Sequence, residues 1–507
     1  MAAPAKKLSD PFDEGMRLSA AGRHAEAIDR FERALKQSPD DPRVLFALGN
    51  TARALGLHRP AESFYRRVLA LDSARLEATA NLANLLRSEG NFSGAEAVLL
   101  PALARCDAPE LRLALGSVYR EQGDDVRAER HYREALAQRA DFVPALANLA
   151  DLISDRGEVD EALALYDRAL KRDAGNAQAR LNRAVLHLLR GDLKNGWRDY
   201  AARLKVPNKV PVAEHGLAKW SGGSLKRTRL LVTAEQGIGD QIMLASVIPD
   251  LLSRARAGGG TVLLECEPRL VSLFARSFPD ATVKAWDIET RHGIAHARYG
   301  WLRNAGGANA AIELGSLPRY LRTEIGSFPS PHAYLVPDVQ EKARWCAQFQ
   351  DAGSGPHVGI CWRSGNLAGH RSLQYAPLKA WGDFLRDVPG TIVCAQYDAL
   401  AGEVAQLEEM SGRKILIPSA IDQKNEIDRA CAMLSALDVV ISAPTAVSWQ
   451  AAALGVRTGK ILYDTSWTSF GRVCEPFAPA CECLVPAARG DWASGFQKAL
   501  ALVNRLR

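Results

Sequence analysis

Apolar positions in the first part of the chain recur with the spacing of amphipathic helices, and the helices themselves recur. Glycine returns at Gly22, Gly56, Gly90, Gly123, Gly157 and Gly191, at intervals of 33 or 34 residues. A small residue follows at Ala27, Ala61, Ala95, Ala128 and Ala162, where two helices must approach closely. Four positions later stands a bulky one, Phe31, Tyr65, Leu99, Tyr132 or Tyr166, expected to fill a groove of the neighbouring unit. Each period therefore reads as a helix–turn–helix unit whose glycine permits the tight turn. No such unit can bury its apolar face alone, so about six of them stack into an α-helical solenoid with a concave surface. The pattern predicts a tail over residues 1–7 and the solenoid over 8–205, with the degenerate last unit GDLKNGWRDYAARL as its cap.

Beyond residue 205 the helical period stops, and NKVPVAEHGLAKWSGGSLKRT reads as a connector over 206–227. Short β-branched runs then alternate with amphipathic stretches. RLLVTAEQ and GGGTVLLECE are strands, with helices expected over IMLASVIPDLLSRARA and PRLVSLFARSF. A second set follows in HVGICWRS, TIVCAQYD, KILIPS, DVVISA and GKILYD, again with helices between. Two batches of strand–helix alternation predict two doubly wound parallel-sheet domains, residues 228–340 and 341–507. Ligands of such sheets sit outside the carboxyl ends of the strands.

Composition narrows the picture only by exclusion. The balance of 64 basic and 58 acidic residues leaves +6, without a run of like charge, which argues against a nucleic-acid partner. MAAPAKKLSD lacks the apolar core of a secretory signal, and no apolar stretch reaches the ~18 residues of a membrane helix. A cytoplasmic protein without a membrane partner is expected. Cys474, Cys481 and Cys483 lack paired metal-ligand spacing and a nearby histidine, so no metal site is expected.

Three loops carry chemistry. In AEQGIGDQI, Gly237 and Gly239 allow tight packing between strand and helix, and Asp240 lands at the helix start. A carboxylate there stays ionised, as a base needs, although capping the helix is an equally ordinary role. In WRSGNLAGHRS, Arg363, His370 and Arg371 cluster at a strand end, suited either to phosphate oxygens or to surface ion pairs. His370 is a second candidate base. In SAPTAVSWQAAALG, Thr445 and Ser448 open a helix whose free N–H groups form an anion site, with simple N-capping as the other reading. In the solenoid, Asn81, Asn148 and Asn182 occupy one repeat position on the inner helices, where amides grip a peptide backbone or satisfy local bonds.

The period of the first half is that of the tetratricopeptide (TPR) repeat. The whole chain resembles a bacterial group in which TPR arrays precede a heptosyltransferase-like module of GT-B fold. The markers are KWSGGSLKRTRLLVTAEQGIGDQIMLA, GICWRSGNLAGHRSL, CAQYDAL and DVVISAPTAVSWQAAALG, in the expected order. The resemblance implies an inverting, metal-independent glycosyltransferase that needs no cofactor beyond its nucleotide-sugar co-substrate. It assigns Asp240 as the base, Arg371 and its neighbours to the donor phosphates, and Thr445 to Ser448 to the helix start beneath them. Pro444 and Trp449 stand where that family usually has Asp and His, which speaks against ADP-heptose as donor and leaves two alternatives, another nucleotide sugar such as a CMP-activated nonulosonic acid, or loss of activity. TPR-fused modules of this sort resemble the soluble flagellin glycosyltransferases, implying a protein acceptor, flagellin foremost, in the TPR groove. A non-catalytic TPR adaptor with a relic module, and a transferase acting on lipopolysaccharide or a small glycan, are the alternatives.

Overall fold

The computed structural model describes residues 10–506 apart from 292, 329–332, 366–371 and 373. The chain divides into two compact units, residues 1–179 and 180–507.

The first unit is a TPR solenoid of antiparallel helix pairs, beginning with Pro11–Ala20 and His24–Gln37 and ending with Val143–Asp155 and Val159–Arg172. The period arises from backbone geometry. Gly22, Gly56, Gly90, Gly123 and Gly157 all take φ between 72° and 85°, a left-handed conformation that costs a side-chain-bearing residue energy. The bulky residues are buried against their own helix pair as well as the next unit: Phe31 also packs with Val44 and Leu48. A Cβ on Gly15 would stand 2.5 Å from the Phe31 ring, and one on Gly49 or Gly116 would stand 2.6 Å from Tyr65 or Tyr132. The missing side chain is therefore the socket for the ring.

The second unit opens inside the first helix of the sixth pair, Ala177–Leu189 and Leu193–Tyr200, which is followed by a 3₁₀ turn at Ala201–Lys205. The unit expected to cap the array also contributes to the core around the sheets. Leu188, Trp197 and Tyr200 share one apolar core with Leu230, Val232, Ile242 and Phe477. Trp197 is its aromatic hub, edge-on to Tyr200, Trp467, Phe470 and Phe477, and its indole N–H donates to the Arg322 carbonyl at 3.0 Å. That bond meets the polar requirement of a buried indole.

Two parallel sheets follow. The strands of the first half are β1 (Val212–Ala213), β2 (Ala218–Lys219), β3 (Arg229–Thr233), β4 (Thr261–Cys266), β5 (Ala281–Ala285), β6 (Asp287–Arg291), β7 (Ile294–Arg298) and β8 (Ala310–Glu313). Those of the second half are β9 (His357–Cys361), β10 (Thr391–Cys394), β11 (Ile415–Leu416), β12 (Val439–Ser442), β13 (Arg457–Ile461) and β14 (Cys481–Leu484). The first sheet has the order β2-β8-β3-β4-β5 and the second β11-β10-β9-β12-β13-β14. Counted within its own half, the second runs 3-2-1-4-5-6, the order of dinucleotide-binding sheets. The segment expected as a connector contributes strands: β2 extends the first sheet beside β8, and β1 pairs with β7 beside the β6–β7 hairpin. The expected single helix after β3 is two, Ile238–Ala245 and Ile248–Gly258, because Pro249 cannot donate its N–H within a continuous helix and instead starts the second.

Candidate functional site

In each sheet the connections reverse direction once, between β3 and β8 in the first and between β9 and β12 in the second. The loops leaving these strands are where a ligand crevice is expected. A cleft of about 420 Å³ lies there, lined by Gly239, Asp240 and Met243 from the first half. Ser364, Thr445, Trp449, Lys460 and Trp467 are among its lining residues from the second half.

The floor of the cleft is a close helix crossing. A Cβ on Gly239 would stand 3.3 Å from Ala446 Cα and 3.5 Å from the Trp449 ring. The small residues at 239 and 446 thus let the starts of Ile238–Ala245 and Ala446–Ala453 meet. Gly237 is the N-cap of the former, and Asp240 sits exposed in its first turn. The loop before it is fixed from beneath. Arg203, 1% exposed, donates to Glu235 Oε1 at 2.6 and 3.2 Å and to Ser316 Oγ at 3.0 Å. The Gly315 N–H donates to the same carboxylate oxygen at 2.8 Å. Burial pushes the Glu235 carboxyl up, and the guanidinium opposes this. The Gln236 amide donates to the Tyr200 hydroxyl at 3.0 Å, and burial raises that phenol to about 12. The end of the sixth helix pair therefore holds the loop that carries Asp240.

On the opposite side, Thr445 caps Ala446–Ala453 by accepting from the Val447 N–H at 3.3 Å, and its hydroxyl lies 3.2 Å from Ser442 Oγ. Ser448 is fully buried and donates back to the Thr445 carbonyl at 2.8 Å, so it stabilises the helix start from inside. Arg363 is not among the residues lining the cleft. Its guanidinium forks onto both oxygens of Glu403 at 2.7 Å and reaches Asp398 Oδ1 at 3.1 Å. This pins the loop after β9 to the helix Ala401–Ser411. His370 and Arg371 lie outside the described residues.

Pro444 and Trp449 both line the cleft. The Trp449 ring carries the Lys460 ammonium 4.4 Å from its centroid. Lys460 also pairs with the buried Glu475. Burial works most strongly against its charge, but the groups around it, Glu475 foremost, together hold its proton affinity above the ordinary lysine range. Sequence reading missed Lys460, because a lysine inside GKILYD looks like a strand flank and its partner lies 15 residues further on.

In the solenoid, the Asn81 amide donates to Asn50 Oδ1 at 2.8 Å, and the Tyr65 hydroxyl donates to the same oxygen at 2.7 Å. The Asn148 amide makes the equivalent bond to Ser117 Oγ at 3.2 Å, beside Tyr132. Both asparagines thus link one repeat to the next. Asn182 is half-buried on Ala177–Leu189, in the second unit.

The tetratricopeptide-repeat model matches residues 12–75, 81–142 and 148–205. Protein FlbA of Caulobacter vibrioides is 31% identical over 477 residues, spanning 93% of this chain and 80% of that protein. A probable biofilm formation methyltransferase, WspC of Pseudomonas aeruginosa, is 39% identical over 84 residues, 17% of this chain and 20% of its own length. Among solved structures, a thermophilic TPR protein of Thermus thermophilus is 32% identical, with a TM-score of 0.32, over 35% of this chain and 97% of its own. None of the helices among the described residues is long and apolar enough to cross a membrane.

Proposed function

The chain belongs to the family of Protein FlbA, and from that premise we propose that it is a glycosyltransferase of GT-B type. It moves a sugar from a nucleotide donor onto Ser/Thr hydroxyls of a protein, flagellin foremost, recruited by the TPR solenoid. The observation that carries this reading is the cleft itself. It brings an exposed carboxylate on one helix start, Asp240, against a capped helix start of the other half, Thr445. The reaction needs those two kinds of group facing one substrate.

Asp240 takes the proton of the acceptor hydroxyl, whose oxygen forms a bond to the anomeric carbon. The bond from that carbon to the phosphate oxygen breaks on the opposite face, inverting the centre, and the nucleotide leaves with the electron pair. Its negative charge meets the N–H groups that open Ala446–Ala453. No metal is needed for this displacement. Trp449 beside Pro444 gives the donor pocket a flat apolar wall, in keeping with a donor other than ADP-heptose, a CMP-activated nonulosonic acid included.

The test is intact-mass measurement of purified acceptor after incubation with full-length protein and nucleotide sugars. A sugar-sized mass gain that Asp240→Asn abolishes, with nucleotide binding retained, is the expected result. Full transfer by Asp240→Asn would remove the proposed base. The ion-paired Arg363 and buried Ser448 favour a second reading, a TPR adaptor with a relic module. Nucleotide binding without transfer to any acceptor would select it.

A further inference from the structure

A phosphate leaving group needs a countercharge, and Lys460 is the only cationic side chain among the described residues lining the cleft. It stands near the carboxyl end of β13, next to the switch-point strand β12, and is 3% exposed. Its surroundings hold the ammonium in one place. Glu475 pairs with it from below, and the Trp449 face engages it from one side. Glu475 is itself fixed, accepting from Thr468 Oγ at 2.8 Å and Cys483 Sγ at 3.3 Å through Oε1. Its Oε2 has no hydrogen-bond partner among the described residues.

As a purely structural device this pair is a poor choice. Two desolvated charges contribute no more stability than a well-packed apolar pair of the same size, and often less. A lysine immobilised at the wall of a polar cleft, beside the hydroxyls of Ser466 and Thr468, is instead arranged to meet an anion without reorganising.

We propose that Lys460, oriented by Glu475 and Trp449, binds phosphate oxygens of the nucleotide donor. This rests on the donor-cleft reading above. Glu475 tempers the site: it aims the ammonium and offsets its charge before the donor arrives. An arriving phosphate then shares the cation and releases no proton.

The experiment is calorimetric titration of full-length wild type, Lys460→Met/Glu475→Leu and Glu475→Gln. The probes are inorganic pyrophosphate, the nucleotides CMP, UDP, GDP and ADP, and the matching nucleosides. The double substitution removes both charges together, so no buried ion is left unpaired. It is expected to weaken nucleotide and pyrophosphate binding on the order of ten- to a hundredfold, the loss of one charge-assisted contact, while leaving nucleoside binding unchanged. Glu475→Gln removes the carboxylate that keeps the buried lysine protonated, so pyrophosphate affinity should weaken with rising pH more steeply than in wild type, which a merely structural pair would not produce. Unchanged nucleotide affinity in the folded double variant, or the wild-type pH dependence of pyrophosphate binding in Glu475→Gln, would overturn the assignment while leaving the donor cleft standing. Pyrophosphate binding that depends on Lys460, without binding of any nucleotide, would keep the anion site and sink the donor reading. If wild type bound neither, both would fall.

Discussion

Glu265 offers a quantitative test of how the first sheet is built. It sits on β4 and is 0% exposed. One carboxyl oxygen accepts from the Ala234 N–H at 3.1 Å, at the root of the loop that leads to Asp240, and the other is buried near the Tyr299 hydroxyl, short of a well-formed hydrogen bond among the described residues. Burial raises this carboxyl from 4.5 to about 7, with the Ala234 N–H and Tyr299 opposing it only in part. A tenfold change in proton affinity is worth about 1.4 kcal/mol, so the folded protein binds this proton more tightly than the unfolded chain by about 3 kcal/mol. Below pH 4.5 the group is protonated in both states and carries no penalty. As pH rises from there to 7 the unfolded chain loses the proton first, and stability falls. Above pH 7 the whole cost is present. Glu265→Gln keeps the shape and the acceptor but cannot ionise. It should melt with wild type near pH 4.5 and about 4 °C higher at about pH 8, given the entropy of unfolding of a unit this large. Scanning calorimetry across that range reads the difference between the two proteins, in which groups common to both cancel. Parallel melting-temperature curves would refute the buried-carboxyl account.

Three further outcomes are expected. Arg203→Met leaves Glu235 buried without its cation and should destabilise the second unit by about 3–5 kcal/mol, a loss that adding Glu235→Gln partly restores in thermal melts. A fragment spanning 180–507 should fold and bind ligands, whereas one spanning 206–507 should not, as circular dichroism and calorimetry will show, because Trp197, Tyr200 and Arg203 lie in its core. Tyr65→Phe removes one hydroxyl bond to Asn50 and should lower solenoid stability by about 1 kcal/mol in urea melts.

What was legible in the sequence was what local backbone chemistry dictates. Turn glycines repeat because each turn demands a positive φ, so Gly22 to Gly157 reported the solenoid directly. Central strands such as β9 and β12 are buried along nearly their whole length and read as unbroken apolar runs. Strands β8 and β14, as AAIE and CECL, carry few branched residues and went unseen; their place comes from neighbours, not propensity. Asp240 and Thr445 could be placed at helix starts because helices follow strands in a fixed grammar, and the fold brings them to one cleft. Lys460 and Arg363 show the limit of that grammar. The role of each is set by a carboxylate 15 or 40 residues downstream, so a charged residue that read as a ligand contact is tied up, and one that read as a strand flank lines the cleft.

The division of the chain at residue 179 also bears on how such a protein changes over generations. Upstream repeats share one period and one turn geometry, so duplication or loss of a whole period leaves the remaining register intact. The sixth pair has no such liberty. Trp197, Tyr200 and Arg203 answer to the sheets behind them, and a substitution there is felt at Glu235 and Gln236. Recombination that swaps arms between relatives is therefore tolerated ahead of this pair and punished within it. Whole repeats can be shuffled in the first unit, and the sheet-bearing unit is inherited as a block.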